Sequence, residues 1–81
     1  MLSIDFRNAV EVPKTNNFTC SLFRLMLKAD GRNLSRLGMG FPIPSRMVWI
    51  YRMDCPYKDE KRTKVDWDEI ERKATEEVLD V

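Results

Sequence analysis

Apolar positions along this chain do not keep a single period. In "LSIDFRNAVEV", residues 2–12, Leu2, Ile4, Phe6, Val10 and Val12 fall on alternate positions. A two-residue period predicts a half-buried strand. Asn8 breaks the run, so the segment reads either as a single extended arm or as a short β-hairpin. Pro13 and the polar "KTNN" close it.

The pattern then changes to a helical one. Asn17 is a good N-cap, and a helix is predicted from Phe18 to Asp30, ended by Gly31. At about 100° per residue, Phe18, Leu22, Leu25 and Ala29 share one stripe. Cys20, Phe23 and Leu27 share a second on nearly the opposite side, with Met26 between. A helix apolar around most of its circumference is expected to be covered on two sides. A shorter helix follows, capped by Asp30, with Leu34, Leu37 and Phe41 on its apolar side. Gly38 and Gly40 weaken it by about 1 kcal/mol each relative to alanine. Pro42 and Pro44 stop it and re-aim the chain.

Residues 45–53, "SRMVWIYRM", fit two readings. As a strand they place Met47, Trp49, Tyr51 and Met53 on one face, which β-branched and aromatic content favours. As a helix they gain Pro44 at the first helical position, with apolar groups pointing all round. Residues 54–64, "DCPYKDEKRTK", read as a mobile polar connector. The last element is a helix opened by Asp66 and Glu69, a variant of the capping box. Trp67, Ile70, Ala74, Val78 and Val81 form its seam. Asp68–Arg72, Glu69–Lys73 and Arg72–Glu76 lie at i,i+4 on the outer side. The expected fold is mainly α: three to four short helices with an N-terminal extended arm or short β-hairpin. The alternative is α+β, with 45–53 as a strand.

With 81 residues, the expectation is a single small domain over 1–81. A chain this short buries only roughly 60–65% of the surface its unfolded form exposes. The apolar run "MVWIY" is far below the ~20 residues a spanning helix needs. The opening residues lack the pattern of a signal peptide, so a cytoplasmic location is the expectation.

Few groups suit catalysis. There is no histidine, and the only cysteines are Cys20 and Cys55. That removes the usual triads and most acid–base schemes near neutral pH, and leaves too few of the usual donors for a zinc site. Cys20 on an apolar stripe reads as inert packing. "GMG" at 38–40 is too short for a phosphate loop and lacks its lysine. No enzyme, metal or cofactor is expected.

Charge is distributed unevenly. Residues 1–53 hold eight lysines and arginines against three acids, a net +5, and residues 54–81 hold six against ten, a net −4. Such a chain can fold its acidic end onto its basic part, pair with a copy of itself, or meet a charged partner. Arg24, Lys28, Arg32 and Arg36 recur every fourth position, a spacing suited to phosphate, with Arg46 and Arg52 as extensions. The plainer reading is a solvated helical strip that serves solubility or pairs with the acidic C-terminal helix. A DNA-reading helix-turn-helix does not fit, because Gly38 and Gly40 break the second helix. A third reading takes residues 66–81, with seven acids and two bases, as a mimic of nucleic acid through Glu69, Glu76 and Glu77.

The other candidate surface is Met39, Phe41, Met47, Trp49, Tyr51 and Met53. Methionine and aromatic side chains anchor partner surfaces, although they serve cores as well. A chain this short cannot bury both sides of the first helix, both faces of 47–53 and the Trp67 seam. Part of that surface is expected to be covered by another chain, a second copy included.

"FTCSLFRLMLKADGRNLSRLGMGFP" also resembles the centre of small uncharacterised proteins of phages and prophages. The shared features are Phe18-Thr19, Leu22 and Leu25, Lys28-Ala29-Asp30, Asn33, Arg36-Leu37 and Phe41-Pro42. The likeness covers residues 17–51 and consists of helix-boundary features. Those proteins continue with an acidic helix carrying Val and Trp; Val48 and Trp49 match it, and "IPSR" departs from it. The resemblance implies a helix for 45–53 and a mobile-element setting, in which small proteins bind and modulate host machinery. It implies no activity. The resulting expectation is a non-enzymatic phage-type accessory protein acting by protein–protein contact, with nucleic-acid binding through the basic strip as the alternative.

Overall fold

Three of the helices start where a side chain supplies the missing hydrogen bond. A computed structural model describes residues 2–53 and 65–79, which form five helices and no strand. They are α1 (Leu2–Glu11), α2 (Phe18–Lys28), α3 (Gly31–Gly40), α4 (Pro42–Arg52) and α5 (Trp67–Leu79). Asn17 Oδ1 accepts from Cys20 N at 2.8 Å, Asp30 Oδ1 from Asn33 N at 2.8 Å, and Asp66 Oδ1 from Glu69 N at 3.1 Å. Each satisfies one of the amides that a helix start leaves unpaired. The connector expected at 54–64, Cys55 within it, and Val81 lie outside the described residues.

The N-terminal arm or hairpin is overturned: residues 2–11 are helical. An alternation of two contains a spacing of four, so Leu2 and Phe6 also share a helical face. Phe6 is fully buried, whereas Ile4, Val10 and Val12 are exposed. Neighbouring elements hold both ends of α1. Ser3 N donates to Glu71 Oε1 at 2.6 Å and Ser3 Oγ to Asp68 Oδ1 at 2.7 Å, both from α5. At the other end, which has no basic residue in its own last turn, Arg24 of α2 donates to the carbonyls of Ala9 and Val12 at 3.3 and 2.9 Å. Carboxylates at the N-terminus and a cation at the C-terminus both favour the helix dipole.

The strand alternative for 45–53 is overturned as well. Residues 45–52 belong to α4, with Met53 as its C-cap; the helix begins at Pro42, where the missing N–H costs no intrahelical bond. Phe41 is the joint: its N–H closes α3 on Leu37 O at 2.9 Å, and its carbonyl accepts Ser45 N at 3.0 Å to open α4. Five helices therefore replace three to four.

α2 also ends earlier than expected. Ala29 and Asp30 are extended, with ψ of 144° and 173°. Asp30 is thereby placed to cap α3, and Gly31 becomes the first residue of α3 instead of a terminator. Within the chain this helix is covered on one side only, so the chain itself does not supply the second cover. Cys20, Leu22, Phe23 and Met26 are buried, but Phe18 is 71% exposed and Leu25 48%. One side of α2 meets water.

α4 packs against α5, α3 and α2, and α1 packs against α2 and α5. Phe6, Phe23, Met26, Met47, Val48 and Ile70 fill the space between them. Phe6 stacks on Phe23, with ring centroids 4.6 Å apart and planes 15° apart, and meets Tyr51 and Trp67 edge-on at 5.3 and 5.2 Å. On α5, Ile70 and Ala74 are buried and Trp67 packs against the core, as the seam predicts. Arg72 pairs with Glu69 and Glu76 along the outer side. Its hydrogen bonds hold the Glu69 carboxyl below the usual range.

The approach of α3 to α4 gives a direct test. A Cβ on Gly38 lies 2.9 Å from Ser45 Oγ and 3.2 Å from Ser45 Cβ. Ser45 Oγ itself donates to Leu34 O at 3.1 Å. In Gly38→Ala, moving Ser45 loses a hydrogen bond of about 1 kcal/mol and adds packing strain of about 1–3 kcal/mol. Alanine returns only about 1 kcal/mol of helix propensity. Gly40 has nothing within 4 Å of its Cβ position, so Gly40→Ala is free to gain. Thermal melts are expected to place Gly38→Ala below the parent and Gly40→Ala at or above it. The reverse order would contradict the close contact.

Candidate functional site

The side of α3 facing away from the core carries three of the residues singled out in the sequence, Arg32, Arg36 and Met39. Leu34 is its one buried position, and Leu37 is half-buried against the core. Arg32, Asn33, Ser35, Arg36 and Met39 remain exposed. Because Asp30 caps this helix and Phe41 ends it, those residues keep a defined register between α2 and α4.

The methionine–aromatic cluster divides into three parts. Met47 is wholly buried and belongs to the core, which corrects its assignment to a partner surface. Tyr51 is half-buried, stacked on Trp67 at 5.6 Å and 21° and edge-on to Phe6. Met39, Trp49, Met53 and Phe41 face outward, with Met39 at 88% exposure. A helix turns about 100° per residue, so 47–53 cannot present all its odd positions on one side as a strand does. Met39 and Trp49 meet along a groove of about 460 Å³, with Leu34, Gly38, Pro42 and Val78 beside them. Phe41 contacts the exposed ring of Phe18 at 6.1 Å.

The basic ladder divides as well. Arg24 is drawn to the carbonyls of α1. Of the proposed extensions, Arg52 donates to Ala29 O at 2.6 Å, and Arg46 pairs with Glu77 of α5. Lys28 and Arg36 instead rim a second groove, about 470 Å³, whose apolar lining is Leu25, Ala29 and Leu37. Arg32 is exposed one turn before Arg36. The acidic helix thus neutralises Arg46, while Lys28, Arg32 and Arg36 have no acidic partner among the described residues. The acidic-mimic reading loses ground: Glu69 and Glu76 are paired with Arg72, and Glu77 with Arg46.

Sequence reasoning missed Phe18 and Leu25 as surface residues, having placed both on a buried stripe. The available signal was Phe18's position at the first residue of its helix. It also missed Val78 and Leu37 as groove lining.

Other chemistry is sparse. Cys20 is buried, with Sγ 3.4 Å from Asp5 O. Burial and then the Asp5 carboxylate push its thiol pKa up, as expected of a packing cysteine. A hollow of about 330 Å³ lies between α1 and residues 65–68. Its polar lining includes Ser3 and Asp68, which are already bonded to each other. Among the described residues no group of three acidic or thiol side chains is placed to hold a metal, and no helix is long and apolar enough to cross a membrane.

The chain matches no family model, no curated protein and no solved structure. The likeness to phage and prophage proteins rests on the quoted residues alone.

Proposed function

We propose that this chain is a small non-enzymatic interaction protein, a cytoplasmic phage-type accessory factor that works by covering part of another protein. The observation that carries this reading is that exposed apolar side chains line the two grooves α3 shares with its neighbours, Leu25 in one and Met39 and Trp49 in the other. Phe18 and Leu25 of α2, Met39 of α3, and Trp49 and Met53 of α4 are all at least 43% exposed. Isolated exposed apolar residues are normal on a monomer; side chains gathered on adjoining helices beside two grooves fit a binding face. Aromatic and methionine residues on such a face are the types that anchor partners.

The test is affinity capture from the source cell, with light scattering to count copies of the chain. Met39→Glu together with Trp49→Glu is expected to weaken capture by about tenfold or more, the effect of losing anchor residues. Val10→Glu, at an exposed position of α1, should leave it unchanged. Capture indifferent to Met39 and Trp49, or no partner and no self-association, removes the proposal.

A further inference from the structure

We propose that the groove between α2 and α3 receives an acidic amphipathic helix from a protein partner. This rests on the interaction reading above and specifies the chemistry of what binds. The floor is apolar: Leu25 is 48% exposed, and Ala29 and Leu37 are half-buried beside it. Lys28 and Arg36, from two different helices, stand at its rim, with Asn33 between them in sequence. The volume of about 470 Å³ lies within the roughly 300–1,000 Å³ of ligand-binding clefts.

Charge selects the occupant. Arg7, Arg46 and Arg72 each hold a carboxylate within the chain, whereas Lys28, Arg32 and Arg36 hold none among the described residues. Between residues 12 and 53 the only acid is Asp30, and its Oδ1 caps α3 through Asn33 N. Positive charge therefore faces water beside exposed leucine. A phosphate backbone answers the cations but leaves Leu25 and Leu37 uncovered, and the groove has no aromatic ring on which a base could stack. A helix with leucine-like side chains on one stripe and glutamates flanking it answers both features at once.

The full-length chain is titrated into a fluorescein-labelled helical peptide of about 16 residues, long enough to hold a helix, with one leucine stripe flanked by glutamates. Matched peptides replace the glutamates by lysine or the leucines by serine, and a labelled thymidine oligonucleotide is run in parallel. Saturable binding of the glutamate–leucine peptide, at least about tenfold tighter than either altered peptide, is the expected result. Lys28→Glu with Arg36→Glu, and separately Leu25→Ser, should each weaken it about tenfold. All three side chains are exposed, so circular dichroism should stay unchanged. The peptide arms keep the test decisive even if a variant misfolds. No saturable binding, equal binding of the lysine peptide, or oligonucleotide binding tighter than peptide and insensitive to Leu25→Ser overturns the inference. If Met39-dependent capture persists while the peptide fails, only the groove assignment falls. If the peptide binds while that capture fails, the groove assignment stands by itself.

Discussion

Phe6→Ala is expected to cost about 3–5 kcal/mol of stability, a large share of the whole for this chain. At about 0.05–0.15 kcal/mol per residue, 81 residues correspond to a total of about 4–12 kcal/mol. Phe6 is fully buried where α1, α2, α4 and α5 meet, stacked on Phe23 and edged by Tyr51 and Trp67. Truncation removes the apolar area and the ring–ring contacts that Phe6 makes with α2, α4 and α5. Urea titration followed by tryptophan fluorescence is the measurement. With a slope of about 1 kcal/mol per molar for a small domain, the midpoint should fall by about 3 M or more, or the variant should be unfolded without denaturant. Phe6→Leu, which keeps part of the volume, should lie between the variant and the parent. A midpoint shift under about 1 M for the alanine variant would mean that the ring does not fill that junction.

The second large effect is expected at Ile70. This side chain is fully buried one turn before the equally buried Ala74, on the seam that docks α5 against α4 and α1. Ile70→Ala should cost about 2–5 kcal/mol. Its consequence should extend beyond α5, because Asp68 and Glu71 on either side of Ile70 hold the start of α1 through Ser3. Loosening α5 also releases that cap. Hydrogen exchange should show the amides of α1 losing protection together with those of α5. Protection of α1 left at the parental level while α5 exchanges faster would contradict the coupling.

The same bonds explain why α1 was not legible in the sequence. Its alternating apolar residues fit a strand as well as a helix, and it has no basic residue of its own in its last turn. The groups that hold its ends, Glu71, Asp68 and Arg24, lie 12 or more residues away in sequence. A short helix is marginal by itself, so these distant contacts decide between the two readings. For 45–53 the propensities pointed to a strand. Helical burial of Met47, Val48 and Ile50 against three neighbouring helices outweighed them.

The candidate surface shows the same division. Arg24, Lys28, Arg32 and Arg36 are equivalent as a pattern, yet a carbonyl pair from α1 takes the first and leaves the others facing water. Met47 and Met39 are the same residue type in adjacent helices, one in the core and the other 88% exposed. Residue type and spacing name the candidates; only the packing of neighbours sorts them.

What the sequence determined unaided is local, within about two helical turns: the starts of α2, α3 and α5 at Asn17, Asp30 and Asp66, and the Trp67–Ile70–Ala74 seam. A capping side chain and its amide are three residues apart, so their energy does not depend on the rest of the molecule. The tertiary structure decided the helicity of α1, the exposure of Phe18 and Leu25, and which cations stay unpaired. Those outcomes depend on groups brought together from distant parts of the chain, and no local spacing encodes them.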